Sequence, residues 1–399
     1  MNQKNSEKLG KTDVHKLLIQ LTIPAMIGML VNALYNLTDT IFVGRGVGEL
    51  AIGALSLAAP VQTLIMAVGL MIGIGGASVF SRAYGRGDKE TMDHTINTAL
   101  RADVILALVL TIVGFIFVED LLRFFKATPS NIGYAKDYLS IIFIGLVPLT
   151  LSMVLNNFTR AEGRVKVAMI SMVIGAGLNI ILDPIFIFDW GLGLGVKGAA
   201  MATVTSQIIA FLYILRMSFA KDSVLNIHFK GLLSIDFTVL KETLLVGLPT
   251  FIRNSMAAFL TIFIFFILEF YATGDHAIYQ SIYGVVNRLI LFIFMPAFGL
   301  VQGLAPIAGY NYGAKNYKRL EDVIKYATKL LLLYFTIAFI IIQVFASSLF
   351  GIFTNETTGF FIEYGSYVLK TISIGFILIV FQIVMSSVYQ SFGYAKRAM

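Results

Sequence analysis

The sequence of 399 residues contains no cysteine, only four histidines and little charge. The absence of cysteine excludes disulfide bonds, thiol chemistry and thiolate-bound metal. The histidines lie outside the apolar segments and far apart in sequence, so we expect no metal site built from them. Only 13% of the residues are charged and 57% are hydrophobic. This composition excludes an ordinary soluble globular protein and is typical of a chain that folds in lipid.

Signatures of catalysis are also missing. The sequence has no Walker motif, which excludes direct use of ATP by the known phosphate loop. It has no pattern that pairs a nucleophile with a base. The glycine-rich segment 69–76 lacks the Lys-Ser/Thr of a phosphate loop and lies in an apolar run, so it predicts close helix packing. We therefore expect a protein that is not an enzyme and needs no cofactor.

Ten apolar segments are each long enough to cross about 30 Å of hydrocarbon as a helix. They are 16–43, 51–80, 98–118, 134–158, 166–188, 196–218, 242–271, 277–307, 323–347 and 361–390. The predicted fold class is an all-α polytopic membrane protein. The first segment is too long for a signal-peptide core and has no small-residue cleavage site, so we interpret it as a retained helix.

The apolar pattern occurs twice along the chain. Four glycines recur 230 positions later: Gly69, Gly73, Gly145 and Gly163 as Gly299, Gly303, Gly375 and Gly393. Duplicated helical units are typical of secondary transporters. We predict an N-lobe of six helices (1–220), a cytoplasmic linker (221–241) and a C-lobe (242–399). A full second repeat would run to about residue 450, so we expect a truncated C-lobe with four of its six helices.

Positive charge marks one side of the membrane. Of the 30 Lys and Arg residues, 22 lie in the N-terminus, the tail and four loops that share one side, and six lie on the other. The lysine-rich side is expected to be cytoplasmic, with the N-terminus inside. The net charge of +7 is then a signal of topology and not of nucleic-acid binding. We expect a multi-pass protein of a bacterial or archaeal cytoplasmic membrane.

Two acidic residues, Asp39 and Asp183, stand out inside predicted helices, while we place most other acids in loops. An ionisable residue in a membrane helix is costly and is a functional candidate. Both helices run outward, so both carboxylates reach the outer half. Asn179 lies one turn before Asp183, and Thr203 is on the next helix. These oxygens can bind a monovalent cation or hold protons; alternatively, both acids reach outer water.

Further polar side chains are candidates for lining a central cavity: Asn32, Asn36, Gln207, Arg253 and Arg288. Asn32 and Asn36 share a helical stripe with Asp39. The two arginines alternatively snorkel to the interface or form structural pairs. Pro24 and Pro184 are candidate helix-bending positions, since proline removes a helical hydrogen bond. Pro184 also frees the carbonyl of residue 180, beside Asp183.

The chain resembles the multidrug and toxic compound extrusion (MATE) family. The motifs that carry the resemblance are Leu21-Thr22-Ile23-Pro24, Asp39 to Gly44, Gly75-Gly76-Ala77 to Gly85, Arg160-Ala161-Glu162-Gly163, Gly177 to Pro184 and Gly198 to Thr203. The resemblance implies two six-helix lobes in a V around a central cavity. It implies export of lipophilic, often cationic compounds in exchange for H⁺ or Na⁺. It also implies an N-lobe cation site at Asp39, Asn179, Asp183 and Thr203.

Other functional classes share parts of this pattern. A related lipid-linked oligosaccharide flippase would have the duplicated plan, but with a more cationic cavity than Arg253 and Arg288 provide. A channel or receptor would need no alternating access. An oxygen-only site serves H⁺ and Na⁺ equally, so the sequence leaves the ion open. The expected partners are drug-like small molecules and the lipid bilayer, without nucleic acid, and we expect a monomer.

Overall fold

The computed structural model describes residues 3–124, 132–228, 235–271, 276–351 and 359–399, and every regular element in them is an α-helix. The predicted all-α fold class is confirmed. The helices are α1 Gln3–Lys11, α2 Val14–Gly46, α3 Glu49–Arg86, α4 Lys89–Phe124, α5 Ile132–Ile144, α6 Leu146–Ala161, α7 Val165–Ile187, α8 Gly195–Ser218, α9 Phe237–Tyr271, α10 His276–Gly313, α11 Tyr317–Gly351, α12 Phe360–Ser373, α13 Phe376–Ser391 and α14 Ala395–Ala398.

Seven of these helices are long and apolar enough to cross a membrane, and two bent pairs raise the number to nine among the described residues. The pairs are α5 with α6, bent by 55°, and α12 with α13, bent by 50°. The first pair is interrupted at Gly145 and the second at Gly375, and these two glycines occupy equivalent positions in the two repeats. The remaining predicted segment, 242–271, lies in the 35-residue helix α9, and some side chains of this helix fall outside the described set.

Three long helices begin at an aspartate that caps them. The backbone amide three residues further on donates to Asp13 at α2, Asp88 at α4 and Asp236 at α9, over 2.9–3.1 Å. A side-chain oxygen at this position satisfies an amide that has no partner within the helix. The hydrogen bonds, led at Asp88 by the Thr91 hydroxyl, lower the pKa of all three carboxyls. The caps fix where these helices start, at their lysine-rich ends.

The N-lobe and C-lobe helices meet through glycines. Helix α3 packs on α9, and α10 packs on both α2 and α3. Gly75 of α3 faces the carbonyl of Thr243, and Gly247 of α9 faces the carbonyl of Met71. A Cβ atom at either glycine would overlap the facing carbonyl oxygen. Small residues of this kind let membrane helices approach backbone to backbone, and these contacts lie toward the lysine-rich ends of the helices.

The N-terminal segment adds a helix that the charge pattern did not predict. Leu9 of α1 is fully buried. Its carbonyl accepts hydrogen bonds from Asn311 Nδ2 (3.3 Å) and Arg319 Nη2 (3.2 Å). A Cβ atom at Gly163 would also lie in contact with the Leu9 side chain. Helix α1 therefore joins the two lobes on their lysine-rich side.

The predicted linker is held against the N-lobe by Glu162. This buried carboxylate accepts hydrogen bonds from the Val224 amide (2.7 Å), the Ser223 hydroxyl (3.0 Å) and Arg164 Nη1 (3.0 Å). Burial raises the pKa of Glu162, and these donors oppose that rise. Helix α9 begins at Phe237, inside the predicted linker, and residues 229–234 lie outside the described part of the chain.

The glycine contacts predict a size limit at the lobe interface. We expect Gly75→Ala and Gly247→Ala each to lower the melting temperature of the purified protein, because the added methyl group overpacks the helix pair by about 1–3 kcal/mol. Gly177→Ala is the matched control, since a Cβ atom there meets nothing within 4 Å. Thermal unfolding in detergent measures the effect. Equal melting temperatures for Gly75→Ala and Gly177→Ala would contradict the close packing.

Candidate cation site and the cavity between the lobes

Three helices bring together the four residues predicted to form a cation site. Asp39 lies on α2, Asn179 and Asp183 on α7, and Thr203 on α8, and all four are buried. Asn179 Nδ2 donates to Asp183 Oδ1 over 3.1 Å and to Thr203 Oγ1 over 3.2 Å. The carboxyl groups of Asp39 and Asp183 are within hydrogen-bonding reach of each other.

Three oxygens of this cluster are buried without a hydrogen-bond donor: Asp39 Oδ1, Asn179 Oδ1 and Asp183 Oδ2. Two neighbouring carboxylates that are shielded from water repel each other when both are charged. A proton or a cation placed between them removes that cost. Because hard cations prefer oxygen ligands, the donor set fits Na⁺ as well as H⁺.

The local sequence explains why these side chains meet. Asn179 and Asp183 are one helical turn apart, so they lie on one face of α7. Helix α7 packs against both α2 and α8. Gly198 near the start of α8 lies so close to the Phe186 carbonyl that a Cβ atom would overlap it. The small residues that follow, Ala199 and Ala200, are fully buried, and this close approach brings Thr203 to Asn179.

Two tyrosines near the cluster were missed by the sequence analysis. The hydroxyls of Tyr35 and Tyr138 are close enough to both carboxyl groups to interact with them electrostatically. Gln62 Nε2 donates to the Tyr138 hydroxyl over 3.3 Å. Tyr35 lies one turn before Asp39, and that spacing was a usable signal. Tyr138 comes from α5, far from Asp39 in sequence, and no local pattern indicates it.

The expectation that only Asp39 and Asp183 stand out as acids inside helices was wrong. Asp103 lies in the middle of α4 and is 1% exposed. It lies close to Thr150 of α6, and its Oδ2 atom is buried without a hydrogen-bond partner. Asp103 falls inside the predicted segment 98–118. Its place inside that segment was the signal that could have identified it.

A cavity of about 330 Å³ lies between the lobes. Its polar lining residues come from α3, α6, α9, α10 and α13: Ser78, Ser81, Asn157, Arg160, Arg253, Gln302, Gln382, Ser387, Gln390 and Ser391. Arg160 and Gln390 occupy the same position of the repeat, 230 residues apart, as do Asn157 and Ser387. The cavity therefore lies where the two repeats face each other, the usual location of a transporter's substrate site.

The predicted cavity residues differ in where the structure places them. Arg253 lines the cavity, whereas Asn32, Asn36, Gln207 and Arg288 are not among its lining residues. Asn36 Nδ2 is exposed and donates to the Asn32 carbonyl over 2.8 Å. Gln207 is half-buried and Arg288 is exposed. Arg160, which lies beyond the end of the predicted segment 134–158, lines the cavity as well.

The two candidate bending prolines lie inside continuous helices. Pro24 is buried in α2 and Pro184 lies near the end of α7. The Pro184 carbonyl accepts a hydrogen bond from the Phe188 amide over 3.3 Å. Among the described residues, the chain bends at the breaks that include Gly145 and Gly375, and α4 is kinked at Phe117. Bending at Pro24 or Pro184 therefore stays a prediction about another conformation.

A helical membrane fold with a buried carboxylate cluster and a cavity between two repeats defines a transporter of the duplicated type. The MatE family model matches residues 24–185 and 249–399. The chain belongs to the MatE family, which confirms the resemblance found in its motifs.

Named relatives and solved structures agree with this assignment. The chain is 28% identical over 360 residues to the multidrug export protein MepA of Staphylococcus aureus (strain MRSA252), covering 90% of this chain and 78% of that protein. It is 28% identical over 346 residues to MepA of Staphylococcus haemolyticus, covering 87% and 75%. A solved structure, the outward-facing conformation of a multidrug resistance MATE family transporter of the MOP superfamily, superposes with a TM-score of 0.89 at 30% identity, covering 99% of this chain and 86% of that one.

Proposed function

We propose that this protein is a secondary active multidrug exporter that moves lipophilic, often cationic compounds outward in exchange for H⁺ or Na⁺. The names of its relatives support export of drugs. We infer the exchange of an ion from the buried cluster of Asp39, Asn179, Asp183 and Thr203. This cluster has oxygens without hydrogen-bond partners and two adjacent carboxyl groups. Because the relatives are named as exporters, we prefer export to the flippase alternative.

In the proposed cycle the ion acts through α2. With the cavity facing outward, H⁺ or Na⁺ binds at Asp39 and Asp183 and cancels their repulsion. Helix α2 then repacks, with Pro24 as its bending position, and substrate leaves to the outside. The glycine contacts between α3 and α9 must separate before the protein can face inward. The ion drives these steps only through its different affinity for the two conformations.

The proposed location and orientation of the protein follow from its charge distribution and its repeat. We place it in the cytoplasmic membrane of a bacterial or archaeal cell as a monomer, with its N-terminus, its lysine-rich loops and α1 on the cytoplasmic side. It needs no cofactor besides the coupling ion. Its N-lobe (1–220), linker (221–241) and C-lobe (242–399) follow the repeat of the sequence.

Coupled export predicts a defined response to loss of either carboxylate. In everted vesicles we expect an imposed pH or Na⁺ gradient to drive ethidium transport by the wild-type protein. Asp39→Asn and Asp183→Asn should abolish the driven component, because the ion no longer changes the charge of the cluster. Ethidium fluorescence under each gradient measures transport and names the ion.

Asp189→Asn is the matched control, since this exposed acid lies six residues beyond Asp183 and should leave transport unchanged. Wild-type rates in Asp183→Asn would contradict the assigned coupling site. A well-inserted wild-type protein that responds to neither gradient would contradict coupled export itself.

The proposed orientation predicts which loops face the outside of the cell. Because the chain has no cysteine, single cysteines can be introduced without background. We expect Trp190→Cys, at an exposed position beyond α7, to react with a membrane-impermeant maleimide in intact cells. Lys89→Cys, at the lysine-rich start of α4, should react only after permeabilisation. The reverse labelling pattern would invert the assigned topology.

A further inference from the structure

The described side chains that line the cavity between the lobes carry positive charge and no negative charge. Arg160 and Arg253 line it, and none of the described residues that line it is acidic. The two arginines approach it from different lobes, Arg160 from the end of α6 and Arg253 from α9. Guanidinium groups remain charged at any physiological pH, so the cavity presents two permanent positive charges.

Neither arginine forms an ion pair with a described carboxylate. Arg160 Nε is buried without a hydrogen-bond partner, and its Nη2 contacts the Met172 sulfur, a weak acceptor, over 3.1 Å. Arg253 Nη1 donates one long hydrogen bond of 3.4 Å to the Ser386 hydroxyl.

Other arginines of the same chain are paired. Arg82 contacts Glu242 over 2.9 Å and Arg164 contacts Glu162 over 3.0 Å. Arg160 is half-buried and Arg253 is exposed at the cavity, so only the buried Nε of Arg160 bears the cost of a charge shielded from water without a partner. Three arginines outside the lining, Arg82, Arg86 and Arg164, thus have carboxylate partners among the described residues, and the two that line the cavity have none.

The rest of the cavity suits an amphipathic molecule. Phe294, Phe298 and Ile379 form part of an apolar wall. Gln302 adds a buried side-chain oxygen, Oε1, that has no hydrogen-bond partner. A cavity of about 330 Å³ falls within the range of small-molecule sites, which are mostly apolar with a few polar groups that fix orientation.

We propose that this cavity binds amphipathic organic anions. A carboxylate, sulfonate or phosphate group accepts hydrogen bonds from Arg160 and Arg253, and the apolar body lies against Phe294 and Phe298. Charge-assisted, often bidentate bonds make arginine well suited to such groups. A cation in the same place would meet two like charges, so this site should bind the cationic compounds named in the proposed function more weakly than it binds anions of the same size. That the bound anion is exported rests on the proposed function; its binding does not.

The test compares two probes with the same body and opposite charge, 1-pyrenesulfonate and 1-pyrenemethylammonium. Equilibrium dialysis measures their binding to the full chain in phosphatidylcholine nanodiscs, with empty nanodiscs subtracted. We expect tighter binding of the sulfonate. Arg253→Gln and Arg160→Gln should each weaken sulfonate binding by about 10-fold or more, the usual size of a lost charged hydrogen bond.

Three variants serve as controls. Arg253→Lys and Arg160→Lys keep the charge and should retain part of the sulfonate affinity. Arg288→Gln removes an exposed arginine of α10 that does not line the cavity and should change nothing. Thermal unfolding identifies any variant that misfolds. If Arg160→Gln does not fold, the test rests on Arg253→Gln, which loses only one long hydrogen bond. Tighter binding of the ammonium probe, or unchanged sulfonate binding in folded Gln variants, would overturn the proposal.

A second arm separates two sources of the anion. Phosphatidylglycerol in the nanodiscs competes with the sulfonate in the wild-type protein if a lipid headgroup occupies the site, and that competition should disappear in Arg253→Gln. Sulfonate binding that phosphatidylglycerol leaves unchanged assigns the site to water-borne anions. Dialysis requires no ion gradient, so a failure of coupled export leaves this result intact. Conversely, ethidium export is measured separately under an imposed gradient, so a failure of sulfonate binding would overturn the anion site without deciding the test of coupled export.

Discussion

The cost of a charge away from water is the constraint on which the rest of this structure depends. Lipid offers no hydrogen-bond partners, so each ionisable group inside the membrane must find a partner in the protein or face a water-filled space. In this chain, acidic and basic side chains within the membrane lie in separate places. Asp39 and Asp183 are clustered inside the N-lobe, while Arg160 and Arg253 line the cavity between the lobes. Had the two sets been adjacent, they would have neutralised each other as structural ion pairs.

Close helix packing is what keeps these groups in separate places. At Gly75 and Gly247 the backbones of α3 and α9 approach so closely that no side chain fits between them. Dispersion contacts over such surfaces hold membrane helices together, because lipid provides no hydrophobic driving force between them. An interface made of backbone contacts has few interlocked side chains, and this suits a boundary that separates and re-forms in the proposed transport cycle.

Periodicity in the sequence was sufficient to predict the membrane-spanning helices, the repeat and half of the candidate cation site. Asn179 and Asp183 are one turn apart, so their meeting follows from helical geometry alone. Tyr138 and Arg160 were missed because their positions depend on contacts between helices that are distant in sequence. Asp103 was missed although it lies inside a predicted segment. Helix α1 was missed because its stability comes from docking on α10 and α11 and not from its own composition.

The docking of α1 has a consequence for how the protein is made. The Leu9 carbonyl is hydrogen-bonded to Asn311 and Arg319, which the ribosome adds some 300 residues later. At synthesis rates of about 5–20 residues per second, the partners of α1 follow it by roughly 15–60 s. The N-lobe helices must therefore insert and pack while the first segment of the chain is still undocked. Helix α1 can therefore reach its final position only after the second repeat has been synthesised and has packed.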